Sequence, residues 1–303
     1  MEVCISPTGS QRDPTSSIRH QDRHRRCSPL KTPVVRTSPY FHLILPLILA
    51  SCAVTPQEPA RIPQPGDADF PAEARSDRHS EKVALVRSGD FDLAMIGDSI
   101  VHTVGDMPGE PYGSLREVWD RHFAPRKAIN LGYSGFRTEN ILWNLENGEL
   151  DFRRSPKVAV LLIGTNNTDD RHYKTVHSPG QILEGTRAIV ELIRKRHPKT
   201  KILILRILPR GDDRQEGAKG YRWHVFHGSD ACVRTAREAG LLTRQLADHR
   251  NVFWMDLNPV FLRPDGTINT DLMPDLLHPN QAGAEAWAQA IEPMLARLMG
   301  SPR

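Results

Sequence analysis

The sequence predicts an α/β protein: one five-stranded parallel sheet covered by helices on both faces. Three observations predict it. Five short, unbroken apolar runs recur after residue 90, helix-patterned segments separate them, and each run is bounded by glycine or polar residues. Continuous apolar blocks mark strands buried on both faces, and strand–helix alternation places such strands parallel in one sheet.

The runs are FDLAMIG, KAINLG, KVAVLLIG, KILILRIL and NVFWMDL. Between and after them lie the helical candidates SLREVWDRHF, TENILWNLENG, SPGQILEGTRAIVELIRKRHP, the stretch around Ala231 to Ala247, and NQAGAEAWAQAIEPMLARLMG. The third candidate is the best marked. Ser178 can cap it, Pro179 suits its first turn and Gln181 completes a capping box. Internal repeats and a second domain are not expected.

Upstream, the composition changes. The chain carries 40 Lys and Arg against 36 Asp and Glu, and residues 1–52 hold seven of the former and three of the latter. The whole excess therefore sits in this leader. The balanced remainder gives no footprint for nucleic acid. The leader ends in YFHLILPLILASC, an apolar run of about ten residues where a membrane span needs roughly 20. Basic residues, a short apolar run and then small residues are the layout of an export signal. Leu49-Ala50-Ser51-Cys52 resembles a bacterial lipobox, so Cys52 is the expected lipidation site of an exported, periplasmic or cell-envelope protein, held to the membrane only through that lipid. Residues 53–80 are Pro-rich and without apolar periodicity, which reads as an extended tether, and the folded domain is expected over 81–303. With Cys4 and Cys27 in the leader and Cys52 lipidated, Cys232 stands alone and no intramolecular disulfide is expected.

In open parallel sheets the ligand crevice lies beyond the carboxyl ends of the strands. The first run ends in Gly97-Asp98-Ser99, the second in NLGYSGFRTEN, the third in Gly164-Thr165-Asn166-Asn167; DLLHPNQAG, near the C-terminus, contains Asp275 and His278. Singly, these are helix caps and turns. Together they contain what acyl transfer needs. A serine hydroxyl is a weak nucleophile until a base takes its proton, and the base needs a third group to fix its tautomer. Asp275 and His278, three residues apart, can supply both, and Pro279 disfavours helical geometry at His278. Oxyanion donors are available in the Ser99 N–H, a backbone N–H at Gly135 and the Asn166 amide.

These blocks, IGDSIV, NLGYSGFRTENILWNLENGEL, LLIGTNN and DLLHPNQAG, resemble in order and spacing those of the GDSL or SGNH hydrolases. LWNLENGEL, LPRG and FLRPDGTIN are similar to the branch holding the catalytic subunits of platelet-activating-factor acetylhydrolase Ib and their bacterial relatives. The resemblance covers about Phe91 to the C-terminus. It implies a flavodoxin-like three-layer α/β/α sandwich, Ser99 as nucleophile, His278 as base and then acid, and Asp275 as its orienting group. Gly135 and Asn166 would complete the oxyanion hole, with Gly132 the weaker alternative to Gly135. The family's usual Gly-x-Asn-Asp stands here as Gly-Thr-Asn-Asn, the variant that the acetylhydrolase branch also shows. No cofactor and no metal are implied; the nearest relatives form dimers, which implies a homodimer for this chain, although nothing in the sequence marks a dimer face.

Two segments are longer than the resemblance suggests: HTVGDMPGEPYGSLREVW after Ser99, and DDRQEGAKGYRWHVFHGSDACVR after LPRG. Both follow strand ends and can wall a pocket. Ile100, Thr165 and Leu277 each adjoin a site residue and are expected to crowd the acyl side, favouring acetyl or another short group. His224, His227, Asp230 and Cys232 lack a second cluster to complete a zinc set and read as pocket wall or surface. Trp143 is expected to pack a helix on the sheet, while Arg194, Lys195 and Arg196 offset a helix dipole. The two glycines of GYSG lack a dinucleotide fingerprint. The expected protein is a serine esterase acting on small esters, or on an acetylated glycan or lipid. The rivals are an acyltransferase using the same triad and a non-catalytic binding module on the same fold.

Overall fold

A computed structural model describes residues 59–66, 73–106, 115–218 and 227–300. The chain divides into two units, Met1–Ala53 and Val54–Arg303, and the described residues all belong to the second. The expected export signal and Cys52 lie outside them, as does His224.

The five expected strands form: β1 (Leu93–Gly97), β2 (Ala128–Gly132), β3 (Val158–Leu162), β4 (Lys201–Leu205) and β5 (Val252–Met255). They make one sheet of order β2-β1-β3-β4-β5, parallel at every pairing, with Gly97 level with Gly132 on one side and Leu162 on the other. This is the flavodoxin-like order, in which the direction of strand addition reverses between β1 and β3 and opens a crevice there.

Strand residues alternate between two cores. Leu93, Met95, Val158, Val160, Leu162, Leu203 and Leu205 face α2 (Ser99–Gly105), α3 (Arg116–His122) and α8 (Gln281–Met299), meeting Trp119, Phe123, Trp287 and Ile291. Ala94, Ile96, Ile129, Leu131, Leu161 and Ile204 face α4 (Thr138–Asn144) and α5 (Pro179–Arg196), meeting Ile141, Leu145, Ile189 and Ile193. α6 (Asp230–Leu242) packs on α5 through Ile182, Ala236 and Ala239, and the short α7 (Asn258–Phe261) supplies Phe261 to the first core. The α5 capping box is as expected: Gln181 N–H donates to Ser178 Oγ at 3.2 Å, and Ser178 N–H to Gln181 Oε1 at 2.9 Å. The candidate TENILWNLENG is helical only to Asn144; the chain then makes a wide turn closed by Gly148 at φ 119°.

The tether is a correction. Pro59–Arg61 forms a turn of 3₁₀ helix and Glu73–Ser88 forms α1, so the folded domain begins before residue 81. Ala60 is fully buried, its carbonyl accepts from Thr138 Oγ1 at 3.3 Å, and Arg61 pairs with Glu184 and Glu191, both at 2.9 Å. Three specific ties thus replace the absent apolar pattern. α1 is held the same way. Arg78 donates to Gly132 O at 3.0 Å, and the buried Lys82 meets Asp106 at 2.8 Å. Trp143 also differs from expectation, packing against His79 of α1 with ring centroids 5.2 Å apart.

Candidate active site

The carboxyl end of β1 delivers Ser99. Asp98 caps α2, accepting the Ile100 N–H at 3.0 Å, so Ser99 occupies the first helical position. The bland and the chemical readings of Gly-Asp-Ser hold together: the cap fixes the helix start and the helix start fixes the serine. Gly97 is required by the packing. A Cβ there would lie 2.2 Å from Leu162 O.

His278 and Asp275 come from the loop before α8. Asp275, fully buried, accepts the N–H of Leu277 at 3.0 Å and of His278 at 2.7 Å on Oδ1, and meets His278 Nδ1 at 2.8 Å on Oδ2. A carboxylate surrounded by donors must take the Nδ1 proton, which leaves Nε2 with its lone pair. Nε2 stands 2.8 Å from Ser99 Oγ. The three residues therefore form one hydrogen-bonded chain able to draw a proton off the serine.

Gly135 and Asn166 are brought to the same edge. Tyr133 N–H donates to Gly97 O at 3.0 Å, setting the loop after β2 against the end of β1. Asn166 Nδ2 donates to Phe136 O at 2.9 Å, tying the loop after β3 to that loop and leaving its second amide hydrogen over. Gly135 adopts φ 74°, a left-handed conformation suited to glycine, and Tyr173 OH donates to its carbonyl. Among the described residues the Gly135 N–H has no acceptor, whereas the Gly132 N–H donates to Asn130 Oδ1 at 2.9 Å. A Cβ on Gly132 would sit 2.3 Å from His102 N, so that glycine serves the contact between β2 and α2. The geometry favours Gly135 as the donor.

Ile100, Thr165 and Leu277 are all buried beside these groups. Asp98 is also buried, and desolvation pushes its carboxyl up to about 7 despite the Ile100 N–H and the nearby His278 and Arg210. Arg210 forms a buried pair with Asp169 at 2.8 Å. Burial pushes Asp169 up, but the Arg210 charge and hydrogen bond outweigh it and hold the carboxyl below its ordinary value. The adjoining Gly211 N–H donates to Leu276 O at 2.9 Å, bracing the loop that bears His278. A cavity of about 560 Å³ opens beyond Arg210 and Gly211, lined also by Arg206, Arg237 and Asn258. None of Ser99, Asp275 and His278 lines it, so hydrogen-bond geometry rather than cavity size locates the chemistry.

His227 bonds Gln215 O at 2.7 Å and Asp230 pairs with Arg214 at 3.3 Å, while Cys232, a buried free thiol, meets Thr168 Oγ1 at 3.3 Å. The sequence reading missed Arg137, Glu139, Asn167, Tyr173 and His177, which form a buried polar group behind the Gly135 and Asn166 loops. Asn167 in the Gly-Thr-Asn-Asn block was their one visible signal.

Comparison with known proteins identifies the family. Residues 95–286 match the GDSL-like Lipase/Acylhydrolase family. Platelet-activating factor acetylhydrolase IB subunit alpha1 of Bos taurus is 31% identical over 221 residues, covering 73% of this chain and 82% of the relative. The alpha2 subunit of Rattus norvegicus is 30% identical over 246 residues, covering 80% and 92%. Among solved structures, a GDSL-like lipase from Bacteroides thetaiotaomicron superposes with a TM-score of 0.57 at 15% identity, covering 74% of this chain and 98% of that one, a likeness of fold. With the matched region spanning β1 to α8, the chain belongs to the GDSL-like lipase/acylhydrolase family and is a carboxylic ester hydrolase.

Proposed function

We propose that the protein hydrolyses short-chain esters, acetyl esters foremost, through an acyl-enzyme on Ser99. The observation that carries this reading is the unbroken chain from Ser99 Oγ to His278 Nε2 and, across the ring, from His278 Nδ1 to Asp275 Oδ2, both hydrogen bonds 2.8 Å. His278 takes the Ser99 proton as Oγ attacks the carbonyl carbon. The oxyanion then forms toward the Ser99 N–H, the Gly135 N–H and the remaining Asn166 amide hydrogen. Collapse breaks the ester C–O bond, and His278 gives its proton to the departing alcohol. Water enters and His278 takes its proton as the water oxygen attacks the acyl carbon; collapse breaks the bond to Oγ, His278 returns the proton to Ser99 Oγ, and the acid is freed.

The preference for a short acyl group rests on the burial of Ile100, Thr165 and Leu277 and on the acetylhydrolase names of the relatives at 30% identity or above. The leader favours work in the cell envelope. It supports export, with Cys52 as a lipid anchor, and makes acetylated envelope glycans or lipids the natural substrates to try.

Hydrolysis of p-nitrophenyl esters of increasing acyl length, beside Ser99→Ala, tests this. Activity that falls after acetate and disappears in the variant is the expected result. A folded protein inactive on every ester, or an equally active variant, overturns it.

A further inference from the structure

Asn167 and Glu139 meet in the buried space behind the oxyanion loops. Asn167 Oδ1 accepts the Thr138 N–H at 3.0 Å. Its Nδ2 lies 3.0 Å from Glu139 Oε2, 3.0 Å from Thr138 Oγ1 and 2.9 Å from His177 Nδ1. Glu139 Oε1 pairs with Arg137 Nε at 3.1 Å, and Arg137 Nη2 stands 2.6 Å from His177 Nδ1. All five residues are buried, Asn167 and Thr138 completely.

Position 167 carries Asn, as the acetylhydrolase branch also does, where the wider family's usual pattern has Asp. In this chain the surroundings suit the amide. Glu139 Oε2 has room for a donor 3.0 Å away, and the Asn167 amide is that donor. An aspartate would set a second carboxylate oxygen against the first, out of water, where like charges repel strongly. Arg137 already balances Glu139 and cannot neutralise both.

The consequence reaches the oxyanion hole. Two adjacent residues after β3 bond two residues of the one segment after β2: Asn166 Nδ2 to Phe136 O at 2.9 Å, and Asn167 Oδ1 from Thr138 N at 3.0 Å. These bonds straddle Arg137 and fix where Asn166 and Gly135 stand relative to each other. We propose that Asn167 is a positioning residue, matched in charge to Glu139, and that the pair sets the oxyanion-hole geometry. This rests on the assignment of Asn166 and Gly135 as oxyanion donors.

The experiment measures kcat, KM and thermal melting for the wild type, Asn166→Ala, Asn167→Asp and the double variant Asn167→Asp with Glu139→Gln, on p-nitrophenyl acetate. Asn166→Ala tests the underlying assignment and should lower kcat by about 10²- to 10³-fold with little change in KM. Asn167→Asp should lower kcat by about 10²-fold, again at nearly constant KM, and lower the melting temperature. In the double variant the carboxylate and the amide exchange places, and kcat should return to within about tenfold of wild type as melting recovers. A purely structural role would move melting alone. Unchanged kcat in Asn167→Asp, or a double variant no more active than it, overturns the proposal. If Asn167→Asp does not fold, a double variant that is also unfolded or inactive overturns it. An Asn166→Ala variant with unchanged kcat instead removes the donor assignment on which it rests.

Discussion

Asp275→Asn changes one atom and should nearly abolish turnover. The side chain keeps its shape but exchanges one oxygen for an NH₂ group, so its orientation decides the outcome. Oδ1 now accepts two backbone N–H groups, at 3.0 and 2.7 Å, and Oδ2 the imidazole Nδ1 at 2.8 Å. With the amide oxygen kept on the backbone donors, NH₂ faces Nδ1. The flipped amide would strand both buried N–H groups at a cost of about 1–3 kcal/mol each. The first orientation therefore prevails by roughly 2–6 kcal/mol. Nδ1 must then accept, Nε2 carries the proton, and Ser99 faces a group that cannot take its hydrogen. The wrong tautomer lowers kcat by about 10⁴-fold, or about 5.5 kcal/mol of barrier. Thermal melting should scarcely change, because three bonds remain three bonds. Asp275→Ala should be as inactive and also melt lower, having left three buried donors empty. Steady-state hydrolysis of p-nitrophenyl acetate with parallel melts checks both. An Asp275→Asn protein within tenfold of wild type would refute the orientation argument.

Two further predictions concern the groups around the triad. Asp98 in the folded protein holds a proton up to about 7 that an unfolded chain releases near 3.8, so stability falls as pH rises through that window. Asn in its place can still cap α2; between about pH 4 and pH 8 the wild type should lose up to about 4 kcal/mol relative to Asp98→Asn, and parallel melts showing the same difference at both limits would refute this. Leu277→Ala should raise the butyrate-to-acetate ratio of kcat/KM by about tenfold, since a methylene is worth about 1–3 kcal/mol in a fitted pocket. It should also cost about 2–5 kcal/mol of stability as a buried leucine becomes alanine. An unchanged acyl profile would remove Leu277 from the acyl pocket.

What the sequence made legible follows from how each part is stabilised. The strands show plainly because both faces of the sheet are covered and every strand is a continuous apolar block. Helix α5 shows because its start is written in Ser178, Pro179 and Gln181. The sequence of α1, EARSDRHSEKVALVRS, carries no apolar stripe. Beside Val86, which reaches the core, its anchors are Arg78 on Gly132 O and Lys82 on Asp106, contacts between residues that look surface-bound until the chain has folded. The 3₁₀ turn at Pro59–Arg61 was unreadable for the same reason. In the site, Ser99, Asp275 and His278 were legible because their residue types and local spacing are tied to one chemistry. Arg137, Glu139 and His177 were not, being polar residues in loops whose burial is created only when three separate segments close over them.

Ser99 and His278 stand 179 positions apart, and α8, which follows His278, is seated by Trp287, Ile291 and Leu295 in the core. A polypeptide ending before His278 retains the nucleophile and every oxyanion donor yet has no base, leaving a hydroxyl as inert as free serine. Catalysis therefore requires docking of a segment synthesised long after the nucleophile. Turnover per molecule becomes a readout of completed folding, and damage confined to α8 should silence the enzyme while the sheet is still intact.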